Sequence, residues 1–139
     1  MLKSILAIFA GIIAAASLVF VGEGVAHAMF PPPPGLDVTK PEDLHTLFIK
    51  LPLGAILSVL VSWAIAAFFG GGVAAVISRA VWPAIAVGFI MLAIAGWTMI
   101  EIPHPLWFML LSVPATLGPA AFAGRLSGKP PASRSTPVK

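Results

Sequence analysis

The chain of 139 residues is 59% hydrophobic and 9% charged, and its mean hydropathy is +1.03. A soluble domain carries about 25% charged residues, so this composition excludes a soluble globular protein and indicates an integral membrane protein. The net charge of +3 comes from cations spread along the sequence, which excludes a nucleic-acid-binding patch, and the lack of cysteine excludes disulfides and thiolate-bound metals.

Four stretches of the sequence are long and apolar enough to cross a membrane. Each has about 20 uncharged residues or more, the length that a helix needs to span ~30 Å of hydrocarbon. We therefore predict an all-α fold with one transmembrane domain over residues 1–124. Its four spans are expected at about residues 4–24, 51–78, 80–100 and 105–124. The second is too long to cross straight, so it must tilt, break near Gly70 or continue into the cytoplasm. We favour one long helix that leaves the bilayer near Phe68 and Phe69.

The first span also resembles a secretory signal. Lys3 precedes a long apolar run, and Ala26-His27-Ala28 has the small-x-small pattern of a cleavage site. The apolar run exceeds the roughly 7 to 15 residues usual in signals, so we favour an uncleaved first helix.

The outer loop, residues 25–50, is the main segment expected outside the membrane between spans. Its four consecutive prolines predict a stiff polyproline II segment. Thr39 and Glu42 then fit a capping box, and apolar residues at 44, 47, 48 and 51 predict a short amphipathic helix on the membrane surface. Residues 125–139 contain four cations and no acid, and we predict a disordered basic tail.

The charged residues predict the orientation of the bundle. Six of the eight cations fall on one side of a four-span arrangement, and only Lys40 and Lys50 fall on the other. The positive-inside rule therefore predicts that both termini are cytoplasmic. All five acids and all three histidines are then expected on the outer side.

Three residues within the spans are candidates for a cavity or for helix packing. Trp63 is expected near the middle of the bilayer, where its indole N–H needs a buried partner or faces a cavity. Pro114 and Pro119 interrupt the fourth span, bend it and free backbone carbonyls. Small residues along the second span predict close packing around it, and some of these faces could instead serve self-association.

Four polar residues are candidates for an outer-face site. Glu23 and His27 are four residues apart on the first helix, and Glu101 and His104 are three apart in the short turn between the last two spans. Two carboxylates and two imidazoles at one depth suit a divalent metal or a proton relay. We favour the simpler interpretation, in which these groups bind loop amides and lipid headgroups. The sequence requires no cofactor, and it leaves open whether a metal binds.

Two motifs carry a resemblance across nearly the whole chain. They are EGVAHAMFPPPPG at residues 23–35 and IPHPLW at residues 102–107. With them the chain resembles a group of small, functionally uncharacterised bacterial inner-membrane proteins, which implies a bacterial source and a four-helix fold but no activity. Small multidrug-resistance transporters share the size, but they carry a carboxylate deep in the first span, whereas Glu23 lies at its end.

The spans contain no ionisable residue in their interiors, so the sequence offers no evident ion path or proton relay. We therefore expect a non-catalytic accessory or structural component of a membrane assembly. Its expected partners are the lipid bilayer, other membrane subunits or further copies of itself. Two alternatives stay open: a small transporter or channel with the Glu/His cluster as its outer gate, and a membrane metalloprotein subunit that uses these residues as ligands.

Overall fold

The computed structural model describes residues 1–31, 33–35, 40, 43, 46, 50–101 and 104–128. Over these ranges the chain forms four α helices and no strand: α1 (Leu2–Met29), α2 (Leu53–Ser78), α3 (Trp82–Glu101) and α4 (Leu106–Ser127). Each helix is long and apolar enough to cross a membrane. The predicted all-α fold with four transmembrane helices is therefore confirmed.

The helix ends differ from the predicted ends mainly in α1. This helix continues to Met29, beyond the predicted span of residues 4–24, and no proline interrupts it before Pro31. As favoured from the sequence, α2 stays one helix through Gly70, and it ends where Arg79 adopts a left-handed backbone with φ of 58°. Most of the predicted surface helix and of the basic tail lies outside the described residues, so both remain predictions.

Helix α2 is the centre of the bundle and packs against the other three helices. Its contact with α1 depends on two glycines that face each other. A Cβ atom added at Gly70 would lie 2.6 Å from the Gly11 carbonyl oxygen, and one added at Gly11 would lie 2.6 Å from the Gly70 carbonyl oxygen. Real Cβ atoms do not approach backbone oxygens this closely, so only glycine allows this distance between the helices. The predicted close packing around the second span is confirmed.

Successive helices run in opposite directions, so each end of the bundle collects residues from several helix ends. We name the two ends after the charged or titratable residues that lie there. The arginine end is defined by Lys3, Arg79 and Arg125, which belong to the start of α1, the α2–α3 turn and the last turns of α4. The histidine end is defined by His27 and His104, which lie near the end of α1 and just before α4.

Helices α1 and α4 leave a gap between them. Among the described residues, no Cα atoms of these two helices come within 8 Å of each other. Helix α1 does reach α3 toward the arginine end, where a Cβ atom added at Gly11 would lie 2.9 Å from Val87 Cγ2. Near the arginine end α1 therefore packs against both α2 and α3, and a space is left between α1 and α4.

Candidate functional site

A cavity of about 580 Å³ occupies this space. All four helices contribute to its wall, and most of the lining side chains are aliphatic or aromatic. The described polar or amphipathic lining side chains are Glu23, His27, Trp63, Thr98, His104 and Thr116. The volume lies within the range of about 300–1,000 Å³ found for small-molecule sites, which are mainly apolar with a few placed polar groups.

The cavity is elongated along the helix axes. On α1 it is lined from Ile12 to His27, a distance of about 22 Å at ~1.5 Å per residue. On α2 its deepest lining residue is Trp63. Compared with a hydrocarbon layer of ~30 Å, the cavity reaches from the histidine end past the middle of the membrane.

The cavity opens on the side of the bundle. Phe20 of α1 and Ile94 of α3 both line it, and both side chains are more than half exposed. Each lies about two turns or more from the histidine end of its helix, at a depth where the bundle is surrounded by lipid chains. We therefore infer that the cavity is open to the bilayer interior between these side chains.

Glu23, His27 and His104 border the cavity at the histidine end. The His27 ring nitrogen Nδ1 lies 2.9 Å from the Glu23 carbonyl oxygen. Because a carbonyl oxygen only accepts, Nδ1 carries the hydrogen, and in the neutral ring Nε2 is then an acceptor. The His104 ring stacks on Phe108, with ring centroids 5.0 Å apart and an interplanar angle of 24°. The structure thus brings three of the four predicted outer-face residues to one cavity.

Of the predicted residues that line the cavity, Trp63 lies farthest from the histidine end. Its side chain is only 9% exposed and contacts Phe108 edge to face, with ring centroids 5.6 Å apart. Trp63 lines the cavity, one of the two environments expected for its indole N–H from the sequence. Pro114 and Pro119 do not line the cavity, and α4 continues as one helix through both.

Two lining residues of α4 were not identified from the sequence. Phe108 and Thr116 follow His104 at intervals of four and eight residues, and Ser112 between them is equally buried. Spacing of four places these side chains on one face of the helix. The spacing of four from His104 through Phe108 and Ser112 to Thr116 is the sequence pattern that indicates which side of the fourth span faces the cavity.

The predicted metal site is not tested by the described residues. Among them, no group of three or more histidine, aspartate or glutamate side chains could hold a metal ion. The Glu101 side chain lies outside the described part of the chain, so the four-residue cluster remains a prediction.

No protein-family model, curated protein or solved structure matches this chain. The function must therefore be inferred from the cavity and the residues that line it.

Proposed function

We propose that this chain is a non-catalytic membrane protein that binds the apolar chain of a lipid-soluble molecule in the cavity beside its histidine end. The observation that carries the proposal is the apolar cavity of about 580 Å³, whose lining includes the exposed side chains of Phe20 and Ile94. A molecule dissolved in the bilayer can enter between these side chains without crossing water. Apolar walls with a few placed polar groups suit the binding and orientation of an apolar ligand.

The small transporter, which the sequence left open as an alternative to an accessory component, is the form of this function that the cavity supports best. Glu23, His27 and His104, the proposed gate, border the same cavity as Trp63, which would line the pathway behind it. Of the described lining residues, only these three can carry a charge, and they lie toward one end. An ion would need charged or carbonyl groups along its path, so the proposed substrate is an uncharged apolar molecule.

Quenching of Trp63 fluorescence by brominated lipid tests the proposal. Replacing Trp82, Trp97 and Trp107 by phenylalanine leaves Trp63 as the sole tryptophan, and a matched variant retains only Trp97, which is 67% exposed. In bilayers of phospholipid with bromine atoms in mid-chain, we expect both proteins to be quenched strongly, because a lipid chain in the cavity contacts Trp63. Strong quenching of Trp97 with none of Trp63 would contradict the proposal.

We also propose a bacterial inner-membrane location with both termini in the cytoplasm. The grouping of Lys3, Arg79 and Arg125 at one end of the bundle supports this orientation. Because the chain has no cysteine, single-cysteine variants can be labelled without background. On intact cells an impermeant maleimide is expected to label Lys50→Cys at once and Lys3→Cys only after the membrane is opened. The reverse pattern would overturn the orientation.

An accessory role in a larger membrane assembly is a second candidate. Gly24 and Gly118 are exposed, and a Cβ atom added at either would meet nothing within 4 Å. Small residues on an outward helix face allow another membrane helix to approach closely. Stoichiometric co-purification of a partner, lost in Gly118→Leu, would support this role, whereas a monomer without partners in mild detergent would count against it.

A further inference from the structure

The indole of Trp63 has an unused hydrogen-bond donor. Trp63 contacts the Phe108 ring, but its Nε1–H donates no hydrogen bond to any described residue. Every fully buried polar side-chain atom among the described residues does have a partner, so Nε1 must retain some accessible surface. Since Trp63 is 9% exposed and lines the cavity, we assign this surface to the cavity wall.

The two threonine hydroxyl groups in the cavity wall do not offer further donors. Thr116 donates to the Ser112 carbonyl oxygen at 2.8 Å, and Thr98 donates to the Ala95 carbonyl oxygen at 2.8 Å. Each hydroxyl hydrogen is therefore used within its own helix, which leaves only oxygen lone pairs. Of the described lining side chains away from the histidine end, Trp63 has the one donor that a ligand can use.

The depth of Trp63 determines what such a ligand must carry. Trp63 lies ten residues after Leu53, so it is about 15 Å from the start of α2 and near mid-membrane. An unpaired donor is unfavourable in a region without water, and an acceptor brought by a ligand would relieve it. A charged acceptor would have no counter-ion at this depth among the described lining residues, so the acceptor must be neutral.

We infer that the cavity selects an uncharged long-chain molecule whose neutral oxygen acceptor, of carbonyl type, receives a hydrogen bond from Trp63 Nε1–H. The apolar part of the molecule would fill the rest of the cavity, between Trp63 and the opening at Phe20 and Ile94. This inference rests on the proposed function, because it assigns the class of ligand and the residue that recognises it.

A pair of probes that differ only in the acceptor tests the inference. One is a long-chain ketone with its carbonyl near mid-chain, and the other is the alkane with the same number of carbon atoms. The wild-type protein in micelles, labelled with ¹⁵N in its tryptophans, gives four indole signals that single Trp→Phe variants assign. We expect the ketone to move the Trp63 proton signal downfield and the alkane to leave it in place. The ketone should also bind about three- to tenfold more tightly, as one net hydrogen bond provides.

Two variants distinguish the effect of the Trp63 N–H donor on binding from the effect of its aromatic ring. Trp63→Phe keeps an aromatic ring against Phe108 and removes the N–H, so its ketone-to-alkane affinity ratio should fall to about one. Trp97→Phe removes an N–H from an exposed position and should keep the wild-type ratio. If Trp63→Phe does not fold, the shift of the wild-type Trp63 signal decides the question alone.

The outcomes distinguish the inference from the function on which it rests. Equal binding of ketone and alkane by the wild-type protein, with an unmoved Trp63 signal, would overturn the role of Trp63 and leave a cavity that binds chains. A ketone preference that persists in Trp63→Phe would also overturn it. Failure of both probes to bind would overturn the proposed function itself.

Discussion

Gly11→Ala is expected to lower the free energy of unfolding by about 1–3 kcal/mol, although it adds only one methyl group. The new Cβ atom would lie 2.6 Å from the Gly70 carbonyl oxygen, 2.9 Å from Val87 Cγ2 and 3.0 Å from Ala74 Cβ. A backbone oxygen cannot rotate away as a flexible side chain can, so α1 and α2 must separate. Loss of helical circular dichroism during an SDS titration in mixed micelles measures the change.

Gly24→Ala is the matched control on the same helix. A Cβ atom at Gly24 would meet nothing within 4 Å, so alanine adds no clash there. Alanine is the better helix former by up to about 1 kcal/mol, and the variant should be as stable as the wild type or more stable. If Gly11→Ala were stabilising to the same extent as Gly24→Ala, the close contact between α1 and α2 would be refuted.

Phe108→Ala is expected to destabilise the bundle by about 3 kcal/mol or more. Phe108 is 1% exposed and packs in a cluster with Ile56, Trp63, Ala95 and Met99. Its ring also contacts the Trp63 and His104 rings at centroid distances of 5.6 and 5.0 Å. Truncation removes all of these contacts and leaves a void between α2, α3 and α4.

Phe9→Ala supplies the comparison for Phe108→Ala. Phe9 is exposed on the outer side of α1, where lipid chains can replace the lost contacts. Its change in stability should stay within about 0.5 kcal/mol, as for other exposed positions. Similar losses in the two variants, measured by the same SDS titration, would show that Phe108 is not part of a packed core.

The four helices could be predicted from the sequence because the thickness of the bilayer determines their length. Uncharged stretches of about 20 residues identify spans without knowledge of how they pack. The same reasoning places Trp63 near mid-membrane, where its indole N–H was expected either to have a buried partner or to face a cavity. The same length argument does not give the end of a helix that continues beyond its span, as α1 does when it runs on to Met29.

The cavity itself could not be predicted, because it depends on which small residues face another helix. Gly11 and Gly24 are equally small in the sequence, yet Gly11 contacts the Gly70 backbone and Gly24 faces open space. Only the three-dimensional packing distinguishes them. The contacts of Gly11 hold α1 against α2 and α3 near the arginine end, and the cavity reaches His27 and His104 at the other end.

A blocked cavity provides the most direct test of chain binding. Ala16 lines the cavity near its opening and is itself exposed, so Ala16→Phe should fill the entrance. Ser17, the next residue, is exposed but does not line the cavity, and Ser17→Phe is the matched control. Both substitutions are made in the protein that retains Trp63 as its sole tryptophan, in bilayers of mid-chain brominated phospholipid. Binding of a lipid chain predicts that Ala16→Phe abolishes most of the Trp63 quenching and that Ser17→Phe preserves it. Equal quenching in the two variants, or no quenching of Trp63 in their parent, would contradict it.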